Sequence, residues 1–233
     1  MGATYPWSIF AGQWNVTGTN SMNSSQNGKL FPEFDELYSL ILTEITGLSE
    51  ITLDYKSNNW EWAEWSIRNQ LSHMASLIPR WLIARWGHIL FPNGDHGFDN
   101  LEGITNSTSD RRLDDSIYWD TDLILPILCK SITLIQNVLE TTDLEFLQKH
   151  KIDRAPTPQW AMMSKAHPHG ITVSGSPASG SMTLEATFRH IYFEEITHLY
   201  NIQRLRIAQG LGTNIIVPRV GYWVLPEWDR SQP

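Results

Sequence analysis

Four stretches of this chain space their apolar residues three and four positions apart, and such spacing stabilises a helix only when its apolar stripe is buried against another element. In the first stretch Phe34, Leu37, Leu40, Ile41 and Ile45 predict a helix from about Pro32 to Gly47. In the second, Trp65, Leu71, Met74, Leu77, Ile78, Trp81 and Leu82 predict one from a cap at Asn58 or Asn59 to Gly87, with Pro79 expected to kink or divide it. The third runs from a cap at Asp120 to about Lys149 through Leu123, Ile127, Cys129, Ile132, Ile135, Val138 and Leu139, with Pro126 distorting its first turns. The fourth opens at Ser181 or Thr183 and runs to about Gln209, where Gly210-Leu211-Gly212 supplies the stop.

Two long connections, 88–118 and 151–180, separate these helices. The pattern reads as an all-α chain, a four-helix bundle with long inter-helix loops, whose ligand and metal sites arise from side chains on facing helices. Residues 1–30, rich in Gly, Ser, Asn and Thr, read as an irregular arm. A short tail after 212 allows extended pieces at 215–217 and 222–225. The whole, 1–233, reads as a single domain with the bundle at about 32–212.

Composition narrows the partners. A formal net charge of −8 leaves no basic field for a phosphate backbone, so no nucleic-acid partner is expected. The single cysteine, Cys129, lies in an apolar run and reads as a small core hydrophobe. With no second cysteine there is no intrachain disulfide, no secretory pattern opens the chain, and no apolar run has membrane length; a cytoplasmic protein without a membrane partner is the expectation. Trp60, Trp62, Trp65, Trp81 and Trp86 sit at helical spacing and read as core before they read as a ligand box.

The chemistry concentrates in the fourth stretch. Glu194 and His198 are four apart, which places them on one helical face about 5–6 Å apart at Cβ. That face also carries Ile191, Ile202 and Leu205, so Glu194 points toward a core, where an unpaired carboxylate costs several kcal/mol. Arg189, Arg204 and Arg206 are aimed elsewhere by helical spacing, although Arg206 could fold back, so the compensating group is expected from another helix. His73 is the candidate, because the face it shares with Leu77 and Trp81 is also turned inward. Two imidazoles and one carboxylate from two helices form a three-ligand metal site with open positions. An exposed Glu194–His198 pair is the simpler alternative. Glu195 is an alternative ligand, and His190 an alternative ligand or an outer partner. His167 and His169, in the second long connection, are candidates for a fourth ligand or proton carrier but read first as solvated. His88, His96 and His150 carry no assignment.

The run Trp65-Ser66-Ile67-Arg68-Asn69-Gln70-Leu71-Ser72-His73-Met74-Ala75 resembles the second helix of DinB/YfiT-like proteins. Glu194-x-x-x-His198-x-x-x-Ile202-Gln203-x-Leu205-Arg206-x-x-x-Gly210 resembles the last bundle helix of that superfamily. Most members carry His where this chain has Glu194; the mycothiol-dependent maleylpyruvate isomerase branch is similar to this chain in having Glu. The likeness covers about 60–90 and 181–212 and leaves the arm, both connections and the tail unmatched. It implies the DinB/YfiT bundle and metal ligation by His73, Glu194 and His198. It also implies a metal-dependent enzyme, a thiol-dependent S-transferase or isomerase acting on a small-molecule substrate. The implied cofactors are one divalent metal, zinc first with iron or nickel as alternatives, and a low-molecular-weight thiol; the implied assembly includes a homodimer. Iron and oxygen chemistry, or a non-catalytic metal-stabilised binding or stress protein, are the competing expectations.

Overall fold

The computed structural model describes residues 31–154, 157–174 and 179–233, so the expected irregular arm at 1–30 lies outside the described residues. The chain is mainly helical. The first expected helix is α1 (Phe34–Ile45), whose Phe34, Leu37 and Ile41 face inward. A short helix, α2 (Glu50–Leu53), follows, capped by Ser49.

The second expected helix begins later than its pattern suggests. A 3-10 turn at Glu61–Ala63 precedes it, and α3 spans Ile67–Leu82. Neither Asn58 nor Asn59 caps it. Ser66 does, because its hydroxyl accepts from the Asn69 amide while the Asn69 side chain accepts from the Ser66 amide, which satisfies two otherwise orphaned donors. Pro79 does not divide the helix. It cannot donate to the Ala75 carbonyl four residues back, and the Ser131 hydroxyl supplies that bond instead at 3.3 Å.

The first long connection is partly helical, with α4 (Gly87–Leu90) and α5 (Leu101–Thr105). It is tied to α3 by the Ser76 hydroxyl on the Ile104 carbonyl and by the Leu113 amide on Ser72. The third expected helix is two elements: α6 (Thr121–Thr141) ends at an extended Thr142, and Asp143 caps a separate α7 (Leu144–Lys149). Cys129 is half-buried on α6 rather than in the core. Against the expectation that no apolar run has membrane length, α6 is long and apolar enough to cross a membrane by length and composition. Its Ile124, Leu128, Ile132, Ile135 and Leu139 are buried inside the protein.

The mainly helical pattern holds except at the second connection, an expected loop that instead carries strands. It contains β1 (Lys151–Arg154), α8 (Pro158–Ala166) and β2 (Ile171–Ser174), and with β3 (Ser179–Thr183) the strands form an antiparallel sheet in the order β1-β3-β2. The strands are short, and β2 and β3 are rich in Ser, Thr and Gly, a composition that hides the period-2 pattern. Gly180 is required at the centre: its φ is +152°, and a Cβ there would lie 1.7 Å from the Thr172 carbonyl oxygen. The register pairs Arg154 with Gly180. β3 runs straight into α9 (Leu184–Ala208), where the Thr183 side chain accepts from the Ala186 amide at 3.0 Å. The tail forms a 3-10 turn at Tyr222–Val224 rather than a strand, and 215–217 is irregular.

The four longest helical packing partners close a ring: α3 contacts α6 and α9, and α1 contacts the same two helices. The far end of the ring is tied to the tail by Glu44, which is fully buried at the end of α1. It pairs with the Arg206 guanidinium of α9 at 3.1 Å and accepts from the Gln203 side chain and the Asn214 and Ile215 amides. Removing one partner of a buried pair strands the other charge. Glu44→Ala is therefore expected to cost about 3–5 kcal/mol, a drop in melting temperature on the order of 10 °C. A calorimetric melt unchanged from wild type would show that the clamp does not hold the fold.

Candidate metal centre

α3 and α9 cross where each turns a polar side chain inward. His73 of α3 and Glu194 and His198 of α9 each offer a ligand atom, and all of these lie within 4.8 Å of one another. The ring centroids of His73 and His198 are 4.5 Å apart, and His198 Nε2 lies 3.4 Å from Glu194 Oε2. The i,i+4 pairing expected of an exposed couple is thus present, but it is not exposed: His198 keeps 13% of its side-chain surface and Glu194 23%, enough for a small molecule to reach them.

Each imidazole is held by its other nitrogen. His73 Nδ1 donates to the Arg111 carbonyl at 2.9 Å, and His198 Nδ1 donates to Gln70 Oε1 at 2.5 Å. Both bonds leave Nε2 as the lone-pair nitrogen, the arrangement by which metal-binding histidines are oriented and made more basic. Gln70 lies three residues before His73 on α3, a spacing visible in the sequence, but its pairing with His198 depends on how α3 and α9 meet. The Trp65 ring packs over both imidazoles, 5.1 Å from His73 and stacked at 6.1 Å on His198.

Arg111 comes from the first long connection, and only the folded chain brings it here. Asp110 and Arg111 both adopt left-handed backbone, φ 45° and 62°. Each such non-glycine residue costs on the order of 1–3 kcal/mol, a strain that persists where the surroundings fix it. Here they do: the Arg111 carbonyl accepts from both His73 and Arg80.

Burial, reinforced by the neighbouring His198, holds His73 well below the ordinary histidine range, so it is a neutral imidazole ready to donate a lone pair. Burial pushes Glu194 up, but the adjoining imidazoles, His198 foremost, more than offset it and bring its carboxyl down to about 2. Glu195, the alternative ligand, points away from this cluster. It is fully buried, neither carboxylate oxygen has a hydrogen-bond partner among the described residues, and burial with the adjacent Glu194 charge raises its carboxyl well above the usual range.

His190, one helical turn before Glu194, stays outside the three-residue group. Its Nδ1 meets the Tyr222 hydroxyl at 2.6 Å, and the same hydroxyl meets His167 Nε2 at 2.9 Å. The phenol donates to one ring and accepts from the other. His167 is therefore buried, not solvated, while His169 is exposed. Tyr222 carried no signal in the sequence; it is placed by Gly221, whose φ of +102° and close approach to the Phe193 carbonyl exclude any side chain. His150 bonds the Phe146 carbonyl and His96 accepts from the Phe98 amide, as unassigned histidines should.

A cleft of about 330 Å³ opens beside the cluster, lined by His73, His190 and Glu194 together with Trp81 and several arginines. The tryptophans divide accordingly: Trp81 walls the cleft, Trp65 roofs the ligands, Trp60 and Trp62 stack on each other, and Trp86 is core. A larger groove of about 600 Å³ between Phe91 and Phe146 shares no residue with this cleft. Against family models, curated proteins and solved structures alike, the chain has no match.

Burial lowers His190 to about 4 and His167 to about 3, so the native state refuses protons that the unfolded chain takes up near 6.5. Stability is therefore present above pH 6.5 and lost as pH falls through 4 toward 3. Denaturant titrations between pH 7 and 4 should show this loss, and His190→Gln or His167→Gln should flatten the slope; equal slopes in all three proteins would contradict it.

Proposed function

We propose that this chain is a DinB/YfiT-like four-helix metal bundle, with α1, α3, α6 and α9 as its helices, and a metal-dependent enzyme acting on a small molecule. The ring of helix contacts supports the bundle, and the resemblance of 60–90 and 181–212 supports the superfamily. The observation that carries the metal is the pair of imidazoles, each fixed through Nδ1, clustered with the Glu194 carboxylate so that the ligand atoms lie within 4.8 Å of one another, His198 Nε2 being 3.4 Å from it. A solvated ion pair needs no such fixing, whereas a ligand set does.

His73, Glu194 and His198 would hold one divalent metal, zinc first, with iron or nickel as alternatives, since two imidazoles and one carboxylate suit each of them. When bound, such a metal lowers the pKa of a coordinated thiol or water and so supplies a nucleophile at neutral pH. The protein's own contribution is positional. Gln70 and Arg111 fix the ring planes, Trp65 shields the ligands from bulk water on one side, and the cleft leaves the other side open to substrate. His190, bonded to Tyr222, is the titratable group on the cleft wall placed to hold or release a proton. Thiol-dependent transfer or isomerisation is the reaction class that the resemblance favours; Cys129, half-buried on α6, has no part in it.

Elemental analysis of untagged protein should give about one equivalent of metal per chain, abolished in His73→Ala and His198→Ala. Gln70→Ala, which frees the His198 ring, should weaken metal binding about 10–100-fold, and Glu195→Gln should leave it unchanged. Full metal content in His73→Ala would refute the ligand set. Iron in place of zinc would move the chemistry to oxygen activation, and a metal-loaded protein inert toward every thiol would count against the transferase reading.

A further inference from the structure

The cleft beside the ligand cluster is positively charged in a protein whose net charge is −8. Arg80, Arg85, Arg111 and Arg154 line it, and Glu194 is the one carboxylate among its described lining residues. These arginines come from four places in the chain: the last turn of α3, the segment after it, the first long connection and β1. No local sequence pattern would assemble them, and like charges brought together repel unless something between them offsets the repulsion. Trp81 packs against two of the guanidinium groups, with Arg85 4.4 Å and Arg154 5.1 Å from its ring. Arg80 donates to the Arg111 carbonyl, and the Arg111 guanidinium lies over Trp65. Burial, with the neighbouring guanidinium groups, lowers both Arg80 and Arg154, as expected where cations crowd a partly dry cleft.

From this wall we infer that the cleft binds a small organic anion, its carboxylate or phosphate held by Arg80, Arg85 and Arg154 and its body packed on Trp81, Leu77 and Met163. The planar guanidinium fork matches both kinds of oxyanion. The apolar residues give the ligand a hydrophobic body to bury, which an inorganic ion lacks. The volume suits a metabolite, not a polymer. The inference deepens the metal-site reading by naming its substrate class: an anion seated here lies beside Glu194 and His73 and is held for reaction. The arginine wall stands whether or not a metal is bound, so the two readings can fail separately.

Calorimetric titration with benzoate, phenyl phosphate and uncharged benzamide, on chelator-treated and on zinc-loaded protein, tests it. At least one anion is expected to bind the chelator-treated protein at least tenfold more tightly than benzamide, with affinity falling as salt rises. The tighter of the two identifies the headgroup. Arg85→Gln/Arg154→Gln should weaken that anion at least tenfold without changing metal content. Arg85→Gln alone, at an exposed position, should give a smaller loss in the same direction. Three outcomes would each overturn the inference: equal affinity for benzamide, no anion binding at millimolar concentration, or binding that needs zinc and ignores the arginine substitutions. The last would leave the metal site intact and assign the anion to it alone.

Discussion

Burial of α9 around most of its circumference constrains everything else. The helix contacts α1, α3, α7, β3 and both 3-10 turns, and its buried residues include Glu185, His190, Glu195, Asn201, Gln203, Arg204 and Arg206. Burying a charge without a partner costs far more than any single packing contact returns, so each of these groups dictates something about its neighbours. Arg206 and Gln203 draw in Glu44 and, through it, the tail. Arg204 lies over Trp62 and Tyr200, donates to Asn201 and reaches the Asp229 carbonyl. Glu185 is shared between Arg189 and Gln148 of α7. Glu195, with no hydrogen-bond partner among the described residues, is answered by a shift toward its neutral form. A register slip of one residue on α9 would break all of these at once, and that fixes where Glu194 and His198 point.

The candidate site inherits its precision from this arrangement. α9 supplies two donors in one helical turn and α3 supplies the third, together with the Gln70 amide that orients His198. The first connection adds the Arg111 carbonyl at the cost of two left-handed residues. The second adds Arg154, because β1 pairs with the strand that runs into α9. Elements that read as loops therefore bring the groups facing a ligand, while the long helices hold the donors. Positions fixed by both packing and hydrogen bonds need little rearrangement when a ligand arrives, which is what preorganisation requires.

Short-range rules made much of this legible in the sequence. The 3.6-residue period marked α1, α3, α6 and α9, and spacing alone placed Glu194 and His198 on one inward face and Arg189, Arg204 and Arg206 off it. His73 followed because a buried carboxylate requires a partner from another helix. The same rules failed at element ends: Ser66 with Asn69 outcompeted Asn58 and Asn59 as a cap, and Asp143 started a new helix where the apolar pattern ran on. Periodicity measures which residues prefer burial, whereas a cap depends on one side chain reaching one amide.

What the sequence determined by itself, then, is which faces must be buried and which polar groups on them need compensation, since helical geometry repeats every few residues. The tertiary structure alone decided how those groups are compensated. The sheet, the Gln70–His198 bond, the Tyr222 hydroxyl between His167 and His190, and the four arginines of the cleft all join residues far apart in the chain. Such contacts depend on how the whole chain closes on itself, and closure leaves no periodic trace in the sequence.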